Sequence, residues 1–307
     1  MNLRSSYAGK LAALLLTFSL ISILPARAMA WGSDGHGMVA RIASRLLTPQ
    51  ARNKVQSILG PHNENIVSVA LWADGIRGPE PGKRPETPNW HFADTPLGED
   101  YSESRDCSES PNGSCVISAL VMFQDILADK KKGYYDRKFN SYEALKFIIH
   151  FSGDIHQPLH NITDKRNDQD GDTGGNAKKV IWFGVADKNL HGVWDTDILR
   201  RNMRLRNNAD VVAYSNFLFD SLTQQERDMA RPSPSGSPTV LSRSAVEDWA
   251  KNAHEIAENA YSDIGSPNSQ GQYTLSQSYY NAHKAQVDLQ IKRAGVRLAR
   301  ILNENLR

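Results

Sequence analysis

The chain has 307 residues, 40% hydrophobic and 23% charged, with 21 Gly, 14 Pro and 2 Cys. That composition excludes a disordered, collagen-like or disulfide-dense chain. The formal charge of +2 falls once the first thirty residues are set aside, because they hold Arg4, Lys10 and Arg27 and no acid; 33 basic against 34 acidic residues leaves −1. Bulk charge therefore predicts no strongly basic nucleic-acid grip.

Residues 1–30 read as an export signal. Arg4 and Lys10 form a basic start, an apolar stretch follows over 11–24, and Ala28-Met29-Ala30 is a small-x-small cleavage site. Cleavage there exposes Trp31, and the mature chain 31–307 is expected outside the cytoplasm, secreted or periplasmic. No other run approaches the roughly 18 apolar residues a membrane span needs, so the mature chain is expected to carry none. In an oxidising compartment Cys107 and Cys115 are expected to pair, closing a short loop around Pro111-Asn112-Gly113.

Helical periodicity dominates the mature chain. Apolar residues recur at 3.6-type spacing over 38–47, 66–72, 116–127, 142–155, 211–222, 246–261 and 280–302. Pro49, Gly133 and Pro158 sit as helix punctuation, while 75–89, 164–178 and 231–238 read as surface loops. Alternating strand patterns are scarce, and an all-α, single-domain fold is expected. A chain of this length buries a full core without metal, so a metal here would serve chemistry.

Two segments place a histidine four residues before an aspartate, His150 to Asp154 and His191 to Asp195. On a helix such pairs share one face and converge on one cation. His160 follows just beyond Pro158, where the helix must stop and a turn can return a further ligand. Upstream lie Trp31 and His36, then Asp74 three residues before Arg77, then Trp90-His91-Phe92-Ala93-Asp94. Imidazole and carboxylate donors in this number suit zinc.

In order and spacing these motifs, with Gly174-Gly175-Asn176, His191-x-x-Trp194-Asp195 and the helix Ala294-Gly-Val-Arg-Leu-Ala299, resemble the S1/P1 nuclease family across 31–307. The resemblance implies a helical fold around three zinc ions, related to zinc phospholipase C. It implies an enzyme that hydrolyses single-stranded DNA and RNA to 5'-nucleotides through a zinc-activated water, with 3'-nucleotidase activity on 3'-nucleotides, and acting as a monomer. By it, one zinc would be held by Asp74, His91, His150 and Asp154, and a second by His160, His191 and Asp195. The third would take the α-amine and carbonyl oxygen of Trp31 with His36 and share Asp154. Asp74 would orient the attacking water, Arg77 would contact phosphate, and Phe92 with Asp94 would hold the base. Asn176 would approach phosphate or base.

Two alternatives stand beside it: a zinc phospholipase C-like phosphodiesterase, and a non-catalytic secreted zinc-binding protein. The Phe92-x-Asp94 pair and the Trp194-Asp195 pair favour the nuclease side. His156 reads as packing, the 164–179 loop as a solvated rim, and His254-Glu255, without the second histidine of a zinc-protease motif, as an exposed helix face.

Overall fold

The computed structural model describes residues 31–108, 114–129, 138–234 and 239–307. Gly133, the loop tip 111–113 and part of the 231–238 loop lie outside them. The described chain is mostly helical: α1 (Gly32–Leu46), α2 (Pro49–Leu59), α3 (Trp72–Ile76), α4 (Glu103–Asp106), α5 (Val116–Leu127) and α6 (Ser141–Asp154). After a 3-10 turn at Pro158–Asn161 come β1 (Lys179–Trp182), β2 (Val185–Asn189) and α7 (Leu190–Gly192). A π turn leads from α7 into α8 (Ile198–Asn207), followed by α9 (Val211–Asp220), α10 (Gln224–Asp228), α11 (Arg243–Ser262), β3 (Tyr273–Leu275) and α12 (Gln277–Asn305). Among the described residues no helix is long and apolar enough to cross a membrane.

Helix α6 forms where its sequence says it should. Asn140 accepts from the Glu143 amide and Glu143 reaches back to the Asn140 amide, a capping box that satisfies two orphan donors. Its inner face lays Phe147 and Phe151 against Phe123 of α5, with Phe123 and Phe147 stacked at 4.4 Å. Trp90 and Phe139 close the cluster edge-on. Aromatic pairs of this kind add about 0.5–1.5 kcal/mol each beyond area burial. The cluster also fixes the two histidines embedded in it, because His91 follows Trp90 and His150 lies between Phe147 and Phe151.

Helix α12 runs along α1 and also touches α6, α8 and α11. It packs tightly on α1 at Gly295, where a Cβ would stand 2.5 Å from Ile42 Cγ2. Glycine is the residue that fits there.

The sequence pattern did not disclose a small sheet of order β2-β1-β3, with β1 antiparallel to β2 and parallel to β3. Its register pairs Lys179 with Asn189 and Val180 with Tyr273. Nor is 66–71 helical. Asn65 Oδ1 accepts from the amides of Val67 and Ser68, which ties the segment into turns, and only Trp72–Ile76 coils. An Asn side chain that offers the backbone such bonds competes with the helix its neighbours would otherwise form.

Candidate metal centre and substrate cleft

Helix α6 ends on Asp154, fully buried, and three imidazoles surround its carboxylate. His91 Nδ1 lies 2.9 Å and His150 Nε2 3.2 Å from Oδ2, while His36 Nε2 from α1 lies 3.3 Å from Oδ1. The His36 and His150 rings stack at 4.1 Å. Gly153 permits this approach, since a Cβ there would stand 2.6 Å from His36 Nδ1. Asp74, from the first turn of α3, lies 3.7 Å from His150 Nε2 and 3.8 Å from His91 Nδ1, and Arg77 stands 3.4 Å from the same carboxylate.

The other donors arrive on short irregular elements. The backbone of 93–97 pairs with 160–163: the Ala93 amide donates to the His160 carbonyl at 2.8 Å and the Leu97 amide to the Thr163 carbonyl at 2.9 Å. His191 and Asp195 face each other at 3.4 Å across the junction of α7 and the π turn. That junction starts where Asn189, at the end of β2, caps the Gly192 amide at 2.6 Å. The sheet therefore sets the entry angle of the helix that carries His191. Gln157, which sequence reading passed over, donates to Asp195 Oδ1 at 2.6 Å and accepts from the Leu159 amide. Its place between His150 and His160 was the available signal.

Three rings are fixed by the backbone. A carbonyl can only accept, so Nδ1 of His150, His160 and His191 carries the proton and donates to Ala70, His91 and Gly174 respectively, at 2.7, 2.7 and 2.8 Å. In the neutral ring Nε2 is then the lone-pair nitrogen, which is how ligating histidines are oriented. Burial holds His160 down at about 3 and His191 at about 4, and also lowers His36 and His91. Burial opposes charge on His150 too, but the carboxylates of Asp154 and Asp74 hold it up at about 9. Burial likewise penalises charge on Asp154, yet the surrounding histidines, His150 foremost, keep it well below the usual carboxylate range, whereas burial sends Asp195 well above it.

Eight buried polar atoms without a hydrogen-bond partner gather here: both His36 nitrogens, both Asp74 oxygens, Asp154 Oδ1, and Nε2 of His91, His160 and His191. Leaving such groups unsatisfied is costly, and a cation would satisfy them together. The donor atoms fall into three sets, each within 4.8 Å: His36, His150 and Asp154; Asp74, His91 and His150; His160, His191 and Asp195. The residues present thus fit a bound metal. Trp31 is fully buried beside them, its indole donating to the Gly153 carbonyl at 2.9 Å and its backbone amide bonded to Asp195.

A cleft of about 240 Å³ opens over these donors, lined among others by Arg77, His91, Phe92, Asp94, His160 and Asn176. Burial pushes the Asp94 carboxyl up to about 7, against the pull of Lys165. Asn176 caps its own turn, Nδ2 donating to the Thr173 carbonyl at 2.8 Å. Of the expected metal, catalytic and substrate residues, Arg77, His91, Phe92, Asp94, His160, Asn176 and His191 line the cleft, and His36, Asp74, His150, Asp154 and Asp195 join His91, His160 and His191 in the donor sets.

Cys107 and Cys115 are joined, as expected. Two surface readings need correction. Asp164 and Asp172 are buried rather than part of a solvated rim, because Arg166 and Lys178 pair with Asp164 while Tyr261 donates to Asp172. His254 is buried as well, since its Nδ1 donates to the Asn161 carbonyl at 2.8 Å and draws the ring inward. His156 packs against Trp249 with Nε2 2.7 Å from Arg297.

Comparison with known proteins gives a coherent result. Endonuclease 1 of Arabidopsis thaliana is 31% identical over 284 residues, covering 89% of this chain and 86% of its own. Nuclease P1 of Penicillium citrinum is 30% identical over 285 residues, covering 89% and 97%. Nuclease S1 of Aspergillus oryzae is 34% identical over 175 residues, covering 55% and 54%. The S1/P1 nuclease family model matches residues 31–307, the same span that carries the buried donors and the cleft, and the chain belongs to that family.

Proposed function

We propose that this protein is a zinc-dependent phosphodiesterase that hydrolyses single-stranded DNA and RNA to 5'-nucleotides and removes phosphate from 3'-nucleotides. The observation that carries the reading is the convergence of eight orphaned, buried donor atoms beneath a cleft that also holds Arg77, Phe92 and Asp94. Three zinc ions are proposed. Asp74, His91, His150 and Asp154 hold one, His160, His191 and Asp195 the second, and His36 with Asp154 and the α-amine and carbonyl oxygen of Trp31 the third. This requires export and cleavage before Trp31, leaving 31–307 as one secreted or periplasmic nuclease domain that works as a monomer.

Zinc so held supplies Lewis-acid stabilisation of phosphoryl oxygens and a water acidic enough to attack near neutral pH. The chain's own groups do the rest. Asp74 orients the attacking water by accepting its hydrogen bond. Arg77 directs its planar fork at the non-bridging oxygens, where charge grows. Phe92 offers a ring face on which any unpaired base can stack, Asp94 accepts from base N–H groups, and Asn176 borders the same cleft. Stacking on one face needs an unpaired base, which favours single strands.

The test is digestion of single-stranded DNA by purified 31–307, with metal analysis of the same sample. Release of 5'-nucleotides with about three zinc per chain is expected. Release of phosphocholine from phosphatidylcholine without nucleotide release would overturn the reading.

A further inference from the structure

A second, separate histidine repeats the disposition of the candidate ligands. His254, on α11, is only 6% exposed. Its Nδ1 donates to a backbone carbonyl, that of Asn161, at 2.8 Å, and its Nε2 is buried and makes no hydrogen bond. His160 and His191 show the same two features, a carbonyl on Nδ1 and a bare Nε2. The carboxylate partner also repeats: Glu258 follows four residues later with Oε1 3.5 Å from His254 Nε2, as Asp195 follows His191 at 3.4 Å.

His254 lines a groove of about 570 Å³ between α11 and the loop 98–101, distinct from the substrate cleft. Glu99, Asp100, Glu255 and Glu258 line it too, with Lys251 the one basic side chain among the lining residues. Glu99 also pairs with Arg105, which leaves Asp100, Glu255 and Glu258 to set a negative field around the imidazole. An imidazole nitrogen without a hydrogen bond beside carboxylates in an open groove is a donor set for a borderline divalent cation, with water completing the shell.

We propose that His254 and Glu258 form an accessory site for a divalent cation, zinc above all, supported by the neighbouring carboxylates. Its role follows from what its ligands hold. Glu258 Oε1 accepts from the Gly98 amide at 3.0 Å, and the adjoining Leu97 amide donates to Thr163. The carbonyl behind His254 belongs to Asn161, the residue after His160. A cation here pins the 96–101 loop and the 160–163 segment to α11, so it stiffens the wall of the substrate cleft without touching substrate.

The test uses 31–307 saturated with zinc and then desalted, titrated calorimetrically with zinc alone beside His254→Gln and Glu258→Gln. Wild type is expected to take up one further ion and to melt at a higher temperature as zinc is added, since an ion that binds only the folded state must raise the midpoint. Both variants should weaken that uptake by more than about tenfold while hydrolysing single-stranded DNA at the wild-type rate. Glu258→Gln keeps an oxygen for the Gly98 amide, so it reports on the cation even if His254→Gln folds poorly. Equal uptake by wild type and Glu258→Gln, or a wild-type midpoint that zinc leaves unmoved, overturns the proposal. Neither readout depends on which substrate the cleft takes.

Discussion

Phe92 and Arg77 face the same cleft but should fail in different ways when truncated. Base stacking is worth about 1–3 kcal/mol, so Phe92→Ala should lower kcat/KM on single-stranded DNA by about 5- to 150-fold, mainly through KM, and leave a base-free phosphodiester unaffected. Arg77→Ala should instead depress kcat by about 100- to 1000-fold on both substrates, because its donors meet charge that develops only in the transition state. Equal losses on the base-free substrate for Phe92→Ala would make it a support for His91. Asp94 adds a pH dependence. Burial pushes its carboxyl up to about 7, so in the proposed role it would accept from base N–H groups strongly above that pH, as the carboxylate, and more weakly below it, once protonated. KM for single strands should therefore rise as pH falls through about 7, and Asp94→Asn should flatten the profile. Stability runs the other way. The folded carboxyl binds its proton more tightly than the unfolded one, so Asp94 subtracts stability as pH rises from about 4 to about 7, and Asp94→Asn should melt higher than wild type at pH 8 but not at pH 4.

Helix α6 shows how a local glycine decides the geometry of the centre. Gly153→Ala would drive a Cβ to within 2.6 Å of His36 Nδ1, whereas a Cβ at Gly37, on the helix that carries His36, meets nothing within 4 Å. Gly153→Ala should cost about 1–3 kcal/mol and lower zinc content, while Gly37→Ala should be neutral or stabilise by up to about 1 kcal/mol. Thermal melts with metal analysis of the two proteins check this. The long helices were legible because α11 and most of α12 bury one face of a 3.6-residue pattern, while α5 and α6 are long apolar runs, α6 buried at every residue from Ala144 to Asp154. Helix α8 was not, because its arginines crowd the short apolar face of Leu199 and Met203. Strands β1 and β3 were illegible for another reason: each has only three or four residues, and their pairing joins Val180 to Tyr273, far apart in sequence. The His150–Asp154 and His191–Asp195 pairs stood out by spacing and the full ligand sets came only with the family resemblance, whereas Gln157 and His254 had neither signal, since their contacts to Asp195 and Asn161 are ones that only the tertiary fold creates.

Across the whole molecule, core and centre are separable. One apolar core spans α1, α5, α6, α11 and α12, and it does not need metal to exclude water. Chelation should therefore abolish hydrolysis and lower the melting temperature, removing about 4 kcal/mol of stability for each ion present at a thousand times its Kd, yet leave helical circular dichroism intact at 25 °C. Zinc should restore activity. One extra glycine ahead of Trp31 should remove one ion and slow turnover, because an amide nitrogen has no lone pair to give, and mass spectrometry with metal analysis would show it. Full zinc in that variant would refute the role of the terminal amine.

The burial of Trp31 also bears on how the protein can be handled. Its ring is sealed in the core beside Gly153, so on the proposed processing, which makes Trp31 the first residue, a purification tag there would compete with the proposed third metal site for the same few ångströms. Around residues 306–307 there is scarcely more room, since Leu306 is buried and Arg307 donates to the Ser233 carbonyl at 2.6 Å. The tip between β1 and β2 is different: Gly184 has open space around it and Val185 is 55% exposed. A fluorophore or surface anchor grafted at that hairpin would leave both of these packed segments alone, making it the natural handle for immobilising the molecule.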